Sequence, residues 1–167
     1  MRHMRRAAGF TLIELLVVIV IMGIVIGSIS LTLFDSAGER LEQESRRLLA
    51  VIGFAQEQAA MDNRQFALSF TQHGYRFFYL SPQGEWLPYD QERIMQAHDF
   101  AEPVEAEVYI DGIKVALSAT EAEDPQVFIL SSGEMQPFSA TLYTDRASTT
   151  ISGDTLGKLT LERDEYL

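Results

Sequence analysis

Residues 9–34, GFTLIELLVVIVIMGIVIGSISLTLF, decide how the rest of this chain is read. Residues 15–33 form a run of 19 without a charge. A helix of that length rises about 28 Å, close to the roughly 30 Å of hydrocarbon in a bilayer. The run is therefore expected to span a membrane as a helix. A secretory signal peptide is the competing reading, but its apolar core is usually about 7 to 15 residues and ends at an A-x-A-like site. The run here is longer, and Ser28-Ile29-Ser30 is a poor substitute for such a site. On its N-terminal side, residues 1–9 carry Arg2, Arg5 and Arg6 and no acid. Basic flanks stay in the cytoplasm, so the remainder is expected on the far side of the membrane.

Glu14 is the one carboxylate near the start of this run. An unpaired carboxylate in hydrocarbon is costly. Membrane physics alone leaves two readings open, a carboxylate at headgroup depth and one that finds a partner within the membrane.

Of 167 residues, those beyond the apolar run suffice for one small domain with its own core. The formal net charge is −11, and past the leader 10 basic residues face 24 acidic ones, a net of −14. Such a surface repels phosphates and offers no basic patch, so no nucleic acid partner is expected. There is no cysteine, which excludes a disulfide framework, a thiolate metal site and a cysteine nucleophile.

After a polar break at Asp35-Ser36-Ala37-Gly38, helical character resumes over residues 39–62. Leu41, Leu48, Ile52, Ala55 and Ala59 recur at spacings of seven, four, three and four, with Leu49, Val51 and Phe54 widening the stripe. Glu39, Arg40, Glu42, Gln43, Glu44, Arg46, Arg47, Glu57 and Gln58 are read as a solvated face. The two parts make a helix of about 50 residues, apolar in its first half and amphipathic in its second. Gly23, Gly27 and Gly38 mark possible bends.

From Gln65 the period becomes alternating. Phe66, Leu68 and Phe70, a His73-Gly74 turn and YRFFYL at residues 75–80 predict a hairpin. Residues 89–103 have no clear period and are expected to form a loop with a helical turn. Val104, Ala106, Val108 and Ile110, then Asp111-Gly112 and Ile113, Val115 and Leu117, predict a second hairpin. Further short strands are expected at 126–130, 138–144, 149–152 and 158–162, which points to antiparallel sheets and an α+β fold.

No catalytic constellation is present. His3, His73 and His98 lack ligand spacing and read as leader, surface or turn residues. No G-x-S-x-G elbow and no phosphate-binding glycine loop occurs. Glu121, Glu123 and Asp124 lack the order of a dedicated calcium loop, so neither metal nor cofactor is expected. Tyr75, Tyr79, Trp86 and Tyr89 are expected to pack in the core or at its rim.

The string Gly9-Phe10-Thr11-Leu12-Ile13-Glu14, with its basic leader and uninterrupted apolar run, resembles the class III signal of type IV pilins and type II secretion pseudopilins. The resemblance implies that a prepilin peptidase cuts between Gly9 and Phe10 and methylates the new N-terminal Phe10. It also implies that Glu14, then the fifth residue, pairs with the free amine of a neighbouring subunit during assembly. Residues 129–138, ILSSGEMQPF, resemble a strand-turn-strand segment of the minor pseudopilin H family of type II secretion. That likeness implies a long helix packed on an antiparallel β-sandwich-like head and a tip-proximal place in a periplasmic pseudopilus. The implied partners are the other minor pseudopilins, the major pseudopilin, the prepilin peptidase, the inner-membrane assembly platform and membrane lipid. The implied role is structural, without catalysis or cofactor. The expected organisation is a cleaved leader at 1–9, a transmembrane assembly helix at 10–34, its amphipathic continuation at 35–63 and a β-rich head at 64–167. A minor pilin of a type IV pilus and a membrane-anchored binding domain are the alternatives.

Overall fold

The computed structural model describes residues 12–120 and 124–165, with the backbone alone at 26–36 and 165. The pair Gly9 and Phe10 lies outside the described residues, as do Glu121 and Glu123. The chain divides into two compact units, Met1–Ser36 and Ala37–Leu167.

One helix, α1, covers Leu12–Asp62, 51 residues, in agreement with the length read from the sequence. The polar break expected at Asp35-Ser36-Ala37-Gly38 is not a break: these residues are helical. A glycine costs a helix only about 1 kcal/mol relative to alanine, whereas a second helix would need its own unfavourable nucleus. The helix ends where Asn63 adopts a left-handed φ of 49°, a conformation asparagine tolerates. Arg64 N–H then bonds back to the Ala59 carbonyl at 3.1 Å, closing the C-terminus by a six-residue turn.

In the unit Ala37–Leu167, Leu41, Leu48, Val51, Ile52, Ala55 and Ala59 of α1 are buried, as their spacing predicts. They belong to one hydrophobic core shared with two five-stranded sheets. The first sheet holds β1 (Phe66–Thr71), β2 (Gly74–Leu80), β3 (Trp86–Pro88), β4 (His98–Asp99) and β7 (Val127–Ile129). Its order is β3-β2-β1-β7, with β4 also pairing β2. The second sheet holds β5 (Glu105–Ile110), β6 (Ile113–Lys114), β8 (Phe138–Tyr143), β9 (Ala147–Gly153) and β10 (Leu159–Glu165), in the order β10-β9-β8-β5-β6. Every strand pairing among the described residues is antiparallel.

Strand β1 is buried on both faces. Phe66, Leu68 and Phe70 stand directly opposite Tyr79, Phe77 and Tyr75 of β2, so these six side chains share one face of the sheet. On the second sheet, Phe138, Ala140 and Leu142 of β8 point inward and alternate with half-buried Ser139, Thr141 and Tyr143. The expected hairpin at Asp111-Gly112 forms with both φ values positive, 51° and 79°, the geometry of a two-residue turn of type I′. Its second strand is shorter than expected. Pairing stops at Lys114, and Ile113 is 72% exposed. Strand β6 is the edge of its sheet, so its apolar side chains have no strand beyond them to pack on.

Residues 89–103, which lack a period, hold a 3-10 turn at Arg93–Met95 and the short β4. They attach through single side chains: Tyr89, Met95 and Phe100 are buried. Tyr75 is buried too, and Trp86 half-buried with its ring 5.3 Å from that of Phe128, so these aromatics serve packing as expected.

Candidate assembly surfaces

In the unit that ends at Ser36, the described side chains of residues 12–25 expose apolar groups all round the helix, the large ones from 41% to 83%. A helix that is apolar on every side needs lipid or another apolar surface around it. Among the described residues no helix is long and apolar enough to cross a membrane. Residues 12–25 rise only about 21 Å, and the expected span continues into residues whose side chains are not described. Glu14 is exposed in the first turn of α1.

In the unit Ala37–Leu167, polar side chains on both borders of the buried stripe fasten α1 to its flanks. On one border, Glu44 is 8% exposed, and its Oε2 lies 2.7 Å from His98 Nε2. Its other oxygen, Oε1, accepts the Ala101 N–H at 3.0 Å. One turn earlier, Arg40 donates to the Glu102 carbonyl. Arg47 donates from Nε to the Tyr75 hydroxyl at 3.3 Å. Burial pushes the Tyr75 phenol above its ordinary pKa, and the Arg47 hydrogen bond opposes that shift. On the other border, Gln56 Nε2 donates to the Gly157 carbonyl at 2.8 Å, and Arg163 reaches Glu42 at 3.4 Å.

Two sequence expectations are corrected here. Glu44 is not part of the solvated face, and His98 is not a plain turn residue but half-buried against that carboxylate. A signal for Glu44 was available: it stands three residues after Leu41 and four before Leu48, inside the apolar stripe. The segment at 129–138 does form a strand, turn and strand: Gly133 has φ 88°, Leu130 N–H bonds to the Glu134 carbonyl, and Ile129 bridges to Met135. Among the described residues no group of three histidine, aspartate or glutamate side chains could hold a metal ion.

Elsewhere on the head, Lys114 forms an ion pair with Glu107 across the β5–β6 hairpin. That hydrogen bond holds the Glu107 carboxyl below its ordinary pKa, with help from Tyr109, and raises that of Lys114.

The family model for type II transport protein GspH matches residues 44–157, and that for the prokaryotic N-terminal methylation motif matches residues 4–30. The type II secretion system protein H of Pseudomonas aeruginosa is 35% identical over 145 residues, 81% of this chain and 82% of that protein. The protein of the same name from Aeromonas hydrophila is 29% identical over 179 residues, covering 98% of this chain and 97% of its own. In fold, the chain is similar to the crystal structure of the minor pseudopilin EPSH from the type II secretion system of Vibrio cholerae. The TM-score is 0.63 at 18% identity, over 74% of this chain and 93% of that one.

Proposed function

The chain belongs to the family of type II transport protein GspH, and from that premise we propose that it is a minor pseudopilin, a structural subunit of the type II secretion pseudopilus. The observation that carries this reading is the GspH match over residues 44–157 together with the methylation motif at 4–30. Its work is assembly. Each fastening of α1 described above is used in holding the fold.

In this reading prepilin peptidase cuts between Gly9 and Phe10 and methylates Phe10. Residues 10–34 then lie in the inner membrane as a single span, the uncharged run 15–33 being long enough for it. The arginines of the leader keep the N-terminal side cytoplasmic, which puts the head in the periplasm. Glu14 pairs with the terminal amine of a neighbouring subunit. A carboxylate in lipid is stabilised by a nearby ammonium, so pairing sets the register in which subunits add. The inner-membrane assembly platform and the other pseudopilins, minor and major, complete the partner set, with this subunit near the tip.

Mass spectrometry of the membrane form tests the processing: the mature chain is expected to begin with N-methylated Phe10, and an intact leader overturns the reading. Glu14→Val is expected to leave cleavage unchanged and to reduce recovery of the chain in the fibre fraction. A knockout is expected to lose exoprotein export while twitching motility is kept; the reverse outcome would assign the chain to a type IV pilus.

A further inference from the structure

We propose that the groove between α1 and the 3-10 turn Arg93–Met95 is a docking site for an acidic segment of a neighbouring, non-identical subunit, one that presents two carboxylates flanking an aliphatic side chain. The inference rests on the pseudopilus reading above.

The groove has a volume of about 400 Å³ and is lined by Arg47, Ala50, Val51, Arg93 and Ile94. Its floor is apolar and firm. Val51 is buried, and Met95, the residue after Ile94, is buried and anchors the turn. Ile94 nevertheless leaves 41% of its surface open, and Ala50 is exposed beside it. The charged lining comes from two elements. Arg47 stands on the helix, steadied by its Nε bond to the Tyr75 hydroxyl, which leaves its terminal nitrogens unused. Arg93 stands on the turn.

Neither guanidinium takes part in an ion pair among the described residues; Arg46, Arg163, Arg146 and Lys114 do, Arg40, Arg64, Arg76 and Lys158 do not, and what sets Arg47 and Arg93 apart is that both line one groove. Acids outnumber bases 24 to 13 in this chain, so two arginines left without a carboxylate, on one groove, make a local positive site on a negative surface. Guanidinium groups bind carboxylates through paired N–H donors, and the apolar floor between them suits an aliphatic side chain. A phosphate headgroup would satisfy the arginines but not the floor. A second copy of this chain would bring the same excess of acids, so the two heads would repel. The chemistry that fits is a local acidic segment on a different subunit, whose rim charges would speed encounter and set register.

The test uses the full chain, expressed with the remaining pseudopilins of its secretion system, with p-benzoylphenylalanine placed at Ile94 or, as a control, at Leu156, which is 82% exposed on the β9–β10 turn. Irradiation of the fibre fraction at Ile94 is expected to give an adduct whose peptide, identified by mass spectrometry, comes from another subunit and carries at least two carboxylates. Arg93→Glu, at a side chain with no partner in the fold, is expected to lower that adduct about tenfold per chain recovered in the fibre fraction. Changing one of the partner's carboxylates to lysine in the Arg93→Glu background is expected to restore it. An adduct to lipid, to a second copy, or to a peptide without carboxylates overturns the proposal. So does an adduct indifferent to Arg93→Glu. Absence of the chain from the fibre fraction overturns the pseudopilus reading and the groove with it, whereas presence in the fibre with no adduct at Ile94 overturns the groove alone.

Discussion

Replacing Glu44 with alanine is expected to release residues 98–101 from the helix and to destabilise the head. The carboxylate is 8% exposed and serves two groups, His98 Nε2 at 2.7 Å and the Ala101 N–H at 3.0 Å. A hydrogen bond to a charged group is worth about 1.5 to 3 kcal/mol, and truncation also leaves the Ala101 donor without its acceptor. The pair together therefore predicts a loss of about 3 kcal/mol for Glu44→Ala. For a domain of this size that corresponds to a fall in Tm of about 12 °C. Glu44→Gln keeps an oxygen for the Ala101 N–H and the shape of the side chain, so its loss is expected to be about 1 kcal/mol. A fragment beginning at Ala37 is the natural sample, since Ala37–Leu167 is a compact unit with its own core. Thermal unfolding gives the stability, and amide exchange by NMR reads the local event. The Ala101 amide is expected to exchange about a hundredfold faster in Glu44→Ala, with Phe66 and Leu68 amides in the sheet interior slowed or hastened only as global stability dictates. A loss below about 1 kcal/mol with Ala101 still protected would refute the reasoning.

Other perturbations probe the core and the surface. Leu48 is fully buried in the middle of the helix stripe, so Leu48→Ala is expected to cost about 2 to 5 kcal/mol in the same unfolding assay. At Gly153 an added Cβ would lie 2.6 Å from Phe138 Cε1 and 2.8 Å from Met135 Sδ, so Gly153→Ala is expected to cost about 1 to 3 kcal/mol and to shift the NMR signals of both neighbours. Lys114→Met is expected to return the Glu107 pKa upward toward its ordinary value, as followed by NMR pH titration. Because that pKa is depressed in the fold, the small stabilisation it brings is present above the unfolded carboxyl pKa and disappears as pH falls through the lower folded value. The variant is expected to be indistinguishable from the parent at acidic pH.

The helix and most strands were legible before any coordinates, because each rests on interactions between residues close in the chain. A stripe at spacings of seven, four, three and four can be buried on one side only as a helix, and α1 buries it. Alternation at Phe66, Leu68 and Phe70 likewise specifies a strand face, and two positive φ values were foreseeable at Asp111-Gly112. Residues 89–103 were legible only as a loop with a helical turn, which the 3-10 turn at Arg93–Met95 matches, and not in β4 or their anchoring contacts. Their buried apolar side chains, Tyr89, Met95 and Phe100, are too widely spaced to leave a period, and their other holds, β4 on β2 and Glu44 on His98 and Ala101, come from residues distant in sequence.

The sequence by itself determined the apolar run, its basic leader, Glu14 at its start and the balance of 24 acids to 13 bases, since these are properties of order and composition. The tertiary structure alone decided which polar residues are spent inside the fold and which remain for partners. Glu44 and Arg47 stand three residues apart on the same helix. One is buried because His98 and Ala101, more than 50 residues onward, close over it. The other stands at the rim of a groove whose far wall, Arg93 and Ile94, lies 46 and 47 residues onward. Polarity patterns record what each residue prefers. Only the packing of distant segments settles whether that preference is met within the chain or left for a neighbour.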